Sequence, residues 1–169
     1  MSRARDNADL GDNYGTFSGT IGNATFPAGM VLKTETQSFN VSGTYDTTTS
    51  TSYETTGLAV SITPLNTNTK ILVLGSFGVS SNSSSAYIAV NIKRTGSSVS
   101  DVYLLNESYN AFGRAYVEGG TISPVYIDNP SNSNPTDAIT YTVHIKVNSG
   151  TAYFGSASGG SITVCEIKA

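Results

Sequence analysis

His144 is the single histidine of the 169-residue chain. Any Ser-His-acid triad would have to be built on it, because no other side chain titrates near neutrality with the right geometry. It falls between Thr142 and Lys146 on the polar side of an alternating segment, the position of an exposed strand residue rather than a base. A Gly-x-Ser-x-Gly elbow needs a strand that turns into a helix, and the sequence offers no helix for it. Paired-carboxylate hydrolysis needs two acids ~5–9.5 Å apart; twelve scattered acids single out no pair. Cys165, the one cysteine, excludes an intramolecular disulfide framework and a Cys-rich zinc site. Beside Val164 and Ile167 it reads as a small packing residue. Asp6, Asp9 and Asp12 recur every three residues, and Asp128-Asn129 carries a single charge. Neither is the dense acidic loop that calcium prefers. The expectation is therefore a protein with no catalytic, metal or cofactor site.

Two other groups could bind. Tyr109, Phe112, Arg114 and Tyr116 cluster within ten residues, and aromatic rings with an arginine can form a sugar-stacking face or an interface hot spot. The competing assignment puts two of the rings in the core. Near the start, Arg3 and Arg5 precede Asp6 and Asp9, a pattern suited to docking by charge-assisted pairs or an added strand. Four Asn-x-Ser/Thr sequons, at Asn23, Asn40, Asn82 and Asn106, are what chance supplies in such a composition.

That composition has 24 Ser, 22 Thr and 14 Asn, with only 12% charged residues and a net charge of −3. Charged residues usually make up ~25%, so hydroxyls and amides supply most of the polarity. Low net charge with ten Tyr and six Phe opposes disorder and favours strands. No apolar run approaches the ~20 residues of a membrane span. The opening Met1-Ser2-Arg3-Ala4-Arg5-Asp6 leads into no apolar segment, so no signal peptide is expected. An acidic balance without a basic cluster argues against nucleic-acid binding.

Residues 1–29 form a separate, arm-like stretch: nine of the first fifteen are charged, Asn or Gly, and no regular period runs through it. From Met30 onward the period is two. Ile139, Tyr141, Val143, Ile145 and Val147 share one face, opposite Thr140, Thr142, His144 and Lys146; Ala86, Ile88, Val90 and Ile92 oppose Tyr87, Ala89, Asn91 and Lys93; Leu58, Val60 and Ile62 alternate likewise. These are half-buried strands. Ile71-Leu72-Val73-Leu74 is apolar on both faces and predicts a strand covered on both sides. Further strands are expected near 31–41, 99–105, 111–118, 122–127, 151–155 and 161–168, with turns at 63–66, 80–85, 96–98, 128–135, 148–150 and 159–160. About eight short strands without a helix predict an all-β antiparallel sandwich over 30–169, a jelly roll being one arrangement.

The stretch GTFSGTIGNATFPAGMVLK at 15–33 resembles the linker of fibre and appendage proteins of tailed bacteriophages, many from marine hosts. Its sharpest part is Thr25-Phe26-Pro27-Ala28-Gly29 before a Val-Leu strand. The remainder resembles the compact β domain that follows this linker, through TSYETTGLAVSITPLNTNTKILVL at 51–74, YIDNP with its Ser/Asn-rich turn at 126–135, ITYTVHIKV at 139–147 and SITVCEIKA at 161–169. The opening SRARDNADLGD resembles the starts and module joints of the same proteins. What the resemblance implies is a non-enzymatic virion protein, trimeric, with a jelly-roll-like sandwich. It would be assembled in the host cytoplasm, held on capsid or tail through the arm, and able to contact a host surface glycan. The chain departs from long fibres in lacking an extended shaft. A carbohydrate-binding module is the alternative from another class; it requires an exposed aromatic platform. For the arm, the alternative is packing on its own sandwich or along a neighbouring subunit.

Overall fold

The computed structural model describes residues 27–39, 46–67, 69–105, 112–116, 119–155 and 159–169, apart from the side chains of Phe39, Arg114, Ala115 and Tyr116. The docking residues proposed on the arm, Arg3, Arg5, Asp6 and Asp9, and also Asp12 and Tyr109, lie outside the described residues. The described residues form twelve strands: β1 (Val31–Phe39), β2 (Thr47–Thr48), β3 (Glu54–Ile62), β4 (Lys70–Ser81), β5 (Tyr87–Thr95), β6 (Val102–Tyr103), β7 (Gly113–Tyr116), β8 (Gly120–Ile122), β9 (Val125–Asp128), β10 (Ile139–Val147), β11 (Ala152–Phe154) and β12 (Gly160–Ile167).

All pairs among these strands are antiparallel. One sheet runs β1-β12-β4, with β9 and β8 and also β11 and β2 along β4; the other runs β3-β10-β5, with β6 and β7 along β5. Setting aside the short β2, β6, β8 and β11 leaves eight strands. In chain order they form sheets 1-8-3-6 and 2-7-4-5. Successive strands alternate between the sheets except the fourth and fifth, which pair within one, and this order makes the two interlocked Greek keys of a jelly roll.

Strand β10 explains why the sheets face each other. Its burial alternates strictly, with Ile139, Tyr141, Val143, Ile145 and Val147 buried and the intervening residues half-buried. Ile88, Val90 and Ile92 of β5 and Leu58, Val60 and Ile62 of β3 extend that surface. Ile71, Val73, Phe77, Phe154, Ile162 and Val164 meet it from the other sheet. Phe77 and Phe154 pack with centroids 5.7 Å apart. Gly75 permits this: a Cβ there would lie 2.5 Å from the Phe77 ring and 2.8 Å from Pro124.

Three expectations are corrected. The 71–74 strand is fully covered on one face only. Ile71 and Val73 point inward, while Leu72 and Leu74 are half-buried on the outer face, beside Ile127 and Val125, their register partners. Val125 and Ile127 are 69% and 58% exposed, so this outer face carries an apolar patch along β4 and β9. The 99–105 strand shrinks to Val102–Tyr103; beyond one backbone bond from Leu104 N to Ile92 O, the adjoining chain is held by the side chains of Arg94 at Ser100 O and Asn91 at Leu105. Asn91, placed on the outward polar face, is completely buried; the 104–105 segment folds over it.

The sandwich has distinct ends. At one end Gly29 N–H donates to Lys168 O and Lys168 N–H to Met30 O, both at 2.9 Å, and Lys33 Nζ reaches Thr63 O at 3.3 Å. Ile62 pairs with Ile139 there, so residues 27–29 join the fold at this end. Lys146 lies seven residues further along β10, about 23 Å away at ~3.3 Å per residue.

Candidate functional site

Of the four residues picked out around position 112, Phe112 alone has its side chain among the described ones. Phe112 is half-buried against the core, edge-on to Tyr126 at 5.8 Å. Arg114 and Tyr116 pair through their backbones with Ala89 and Tyr87. Among the described residues an aromatic cluster assembles on the outer face of the β3-β10-β5-β6 sheet around His144, using Tyr53 and Tyr103, which sequence reasoning passed over.

Its framework is backbone register. Lys93 of β5 pairs with Tyr103 of β6 and with Thr142 of β10, and His144 pairs with Asn91 and Thr55. Asn91 fixes the β6 segment, donating from Nδ2 to Leu105 O at 2.9 Å and accepting from Leu105 N at 3.4 Å. At the opposite edge, β3 carries a bulge: two extra residues separate its pairs with Thr142 and His144. Gly57 sits in the bulge at φ +72°, a conformation open to glycine, and Thr56 Oγ1 closes it by donating to Val143 O at 2.9 Å. Bulges increase local twist and re-aim the chain beside them.

Tyr53, just before β3, meets Tyr103 at 5.3 Å between centroids with the rings tilted by 35°. Strands β3 and β6 are separated by β10 and β5, three spacings or about 14 Å, so the rings lean toward each other across the sheet. His144 lies beneath them, edge-on to Tyr103 at 5.3 Å, with Nδ1 3.2 Å from the Tyr103 hydroxyl. His144 is therefore half-buried in a cluster, not a freely exposed strand residue, and a phenol stands at Nδ1. Lys146 Nζ lies 4.4 Å from the Tyr53 centroid and Lys93 Nζ 5.9 Å from that of Tyr103, both within cation–π range. Beside Lys146 a shallow depression of about 160 Å³ is lined by Thr51, Tyr87, Lys146, Val147 and Asn148. Its rim is held by Tyr87 N–H donating to Asn148 Oδ1 at 2.6 Å and Val147 N–H to Ser50 O at 2.9 Å.

The electrostatics of this face oppose those of the whole chain. Among the described outward positions of β3, β5, β6 and β10, the nitrogen bases are Lys93, His144 and Lys146, and no carboxylate stands among them. Glu54, next to Tyr53, accepts a hydrogen bond from Thr48 Oγ1 of the other sheet. A cationic, aromatic, hydroxyl-fringed surface thus sits on a protein of net charge −3.

No family model and no curated protein matches the chain. Among solved structures, chains of infectious bursal disease virus, Gx and Gt strains, align at TM-scores of 0.47 with 9% identity, over 79% and 82% of this chain. This chain spans 31% and 39% of their lengths. A CBM4 structure aligns at a TM-score of 0.30 with 11% identity, over 78% of this chain and 91% of its own. None of these alignments bears on what the chain does.

The other polar clusters hold the fold. Arg94 NH1 lies 2.7 and 2.9 Å from the two oxygens of Asp128, and Tyr141 OH donates to Oδ2 at 2.8 Å. Asp128, one of the acids weighed for calcium, is thereby engaged across the core. Glu166, fully buried, accepts from Leu65 N, Asn66 N and Thr69 Oγ1 at 2.9, 3.2 and 3.0 Å. Cys165 is 8% exposed and accepts from Thr34 Oγ1 at 3.5 Å, as expected of a packing residue.

Proposed function

We propose that the chain is a non-enzymatic structural protein of a bacteriophage virion, a fibre- or decoration-type appendage on capsid or tail. The observation that carries this reading is the polarity of the sandwich. The arm enters beside Gly29 and Lys168 at one end, and Lys146, Tyr53 and the depression beside them lie at the other. A domain tethered at one end presents the opposite end outward. The resemblance of residues 15–33 to phage appendage linkers supports the same reading, and so does a surface of low charge, whose solubility depends little on salt. Deleting residues 2–14 is expected to leave the melting temperature unchanged and to remove the protein from purified particles. Normal incorporation of the truncated chain would move docking to the sandwich itself.

In this reading three copies associate. The resemblance supplies the three-fold symmetry, and the outer patch of Leu72, Leu74, Val125 and Ile127 supplies a surface for it, since contiguous exposed apolar patches mark contact sites. Ile127→Asp, placed where the side chain is 58% exposed, should reduce the light-scattering mass of the full chain from trimer to monomer without unfolding it. A monomeric parent protein at micromolar concentration would remove this part of the proposal.

The second reading, a free carbohydrate-binding module, is favoured by one observation, the Tyr53–Tyr103 pair on an open sheet face. It differs in needing no particle: the protein would be absent from purified virions and would act alone.

A further inference from the structure

We infer that the free edge of β9 takes an added strand, supplied by residues 16–26 of a neighbouring copy of this chain. The inference rests on the three-copy reading and names what covers the outer apolar patch. Backbone direction comes first. Gly75 N–H donates to Pro124 O at 3.0 Å, so Gly75 and Pro124 form a hydrogen-bonded pair. Such pairs alternate with non-bonded ones along an antiparallel ladder, and Leu74–Val125 and Leu72–Ile127 fall on the non-bonded steps. The N–H and C=O groups of Val125 and Ile127 therefore point away from β4. Among the described residues β9 pairs with β4 alone, so these groups form an open edge. Unpaired backbone beside exposed apolar side chains, 69% and 58% here, is a template for a further strand. The opposite edge of the same sheet is guarded, because β1 carries the Lys33–Glu35 ion pair at 3.4 Å and edge charges discourage pairing. In β9 the one charge, Asp128, is turned into the core toward Arg94.

An added strand gains affinity from main-chain hydrogen bonds and specificity from alternate side chains. The surface beside this edge is uncharged: the cross-strand rows Thr34–Cys165–Leu72–Ile127 and Thr36–Thr163–Leu74–Val125 contain no acid or base. Residues 13–32 match it, with no charged residue among the twenty. Within them Phe17 and Ile21 are four apart and fall on one side of an extended segment, which sets both beside Val125 and Ile127. The donor is a second copy because of where the segment is anchored. Residues 27–29 are fixed at Lys168, and β9 lies three strand spacings from β1, about 14 Å. The 63–67 and 129–138 loops, tied by Asn132 Nδ2 to Asn66 O at 3.2 Å, stand at that end beside β4 and β9, across the path of the chain's own arm. The ten residues from Phe17 to Pro27 span up to ~33 Å, enough to cross a subunit boundary. Donor segment and acceptor edge are different surfaces, and such heterologous contacts close a ring, whereas β9 against β9 would give a two-fold dimer.

The test combines hydrogen exchange and light scattering on the full chain and two variants, Ile21→Asp in the donor segment and Ile127→Asp on the acceptor edge. The parent should be a trimer whose Val125 and Ile127 amides exchange at least about tenfold more slowly than in Ile21→Asp. Each variant alone should be monomeric. Mixing the two should restore slow exchange at Val125 and Ile127 of the Ile21→Asp chain, whose intact edge then meets the intact donor segment of the other. Ile21 precedes the sandwich in the chain, so Ile21→Asp remains decisive if Ile127→Asp fails to fold. Slow exchange that survives Ile21→Asp, or mixing that restores nothing, overturns the inference. A trimer in which both amides exchange freely overturns it and leaves the three-copy reading standing, whereas a monomeric parent overturns both. Particle incorporation is scored separately: absence of the parent from purified virions would overturn the appendage reading, not the strand exchange.

Discussion

Asp128→Ala is expected to destabilise the fold by about 3–5 kcal/mol, the cost of leaving a buried partner charge uncompensated. Arg94 and Asp128 have side chains only 8% and 7% exposed. They join the two sheets, Arg94 from β5 and Asp128 from β9, and Tyr141 of β10 donates to the same carboxylate. Removing the carboxylate strands a guanidinium whose other contacts are to Ser100 O at 3.2 and 3.3 Å, and it leaves the Tyr141 hydroxyl without its acceptor. Domains commonly have ~5–15 kcal/mol of stability, so the shift in denaturation midpoint should be large. The pair Arg94→Met with Asp128→Leu should recover most of the loss, because a well-packed apolar substitute often equals a buried ion pair. Failure of the single variant to shift the midpoint would mean that the pair is solvated. The same network sets an alkaline limit. Burial first, then the Asp128 charge and hydrogen bond, push the Tyr141 phenol well above its ordinary value of 10.0. A group with a raised folded-state pKa contributes fully below its unfolded value and loses that contribution as the pH climbs beyond it. Stability should therefore fall above about pH 10, more steeply in the parent than in Tyr141→Phe.

Glu166→Ala is expected to cost about 3 kcal/mol or more. The side chain is fully buried at the end of β12 and accepts three hydrogen bonds, from Leu65 N, Asn66 N and Thr69 Oγ1. Each buried donor left unsatisfied costs ~1–3 kcal/mol, and the backbone of 65–66 has no ladder partner to replace the carboxylate. Asn132 Nδ2 donates to Asn66 O at 3.2 Å, so the 129–138 loop loses its anchor as well. Glu166→Gln keeps one good acceptor and turns an amide N–H₂ toward donors, so it should fall between parent and alanine variant. Hydrogen exchange gives the local readout: the Leu65 and Asn66 amides should lose protection before the β10 ladder does. Equal protection in parent and Glu166→Ala would show that the loop is held by other contacts.

Strand periodicity carried most of the fold because β10, β5 and β3 each bury one face against the opposite sheet. For 139–147 the phase read from Ile139, Tyr141, Val143 and Ile145 is the phase observed. The same phase held a signal that was passed over. Arg94 follows Ile88, Val90 and Ile92 at two-residue steps, and Glu166 follows Ile162 and Val164. A charge at an inward position near a strand end marks a buried pair or a loop anchor. The site was harder to see. Tyr53 lies outside the strands, Tyr103 belongs to a two-residue strand, and they meet only through the β3 bulge and the pairing of β10 with β5. None of that long-range register is written in local spacing. The compact run at 109–116 drew attention because its aromatics are close in sequence, whereas Tyr53 and Tyr103 are 50 residues apart.

The central claim, a virion appendage held at its arm end and displaying its lysine–tyrosine face outward, is tested most directly by cryo-electron microscopy of particles with and without this gene product. The difference map should contain jelly-roll density in three-fold clusters, with the Gly29–Lys168 end toward the particle and the Tyr53–Lys146 end away from it. Particles that are identical with and without the protein, or density in which the Tyr53–Lys146 end faces the particle, would contradict it.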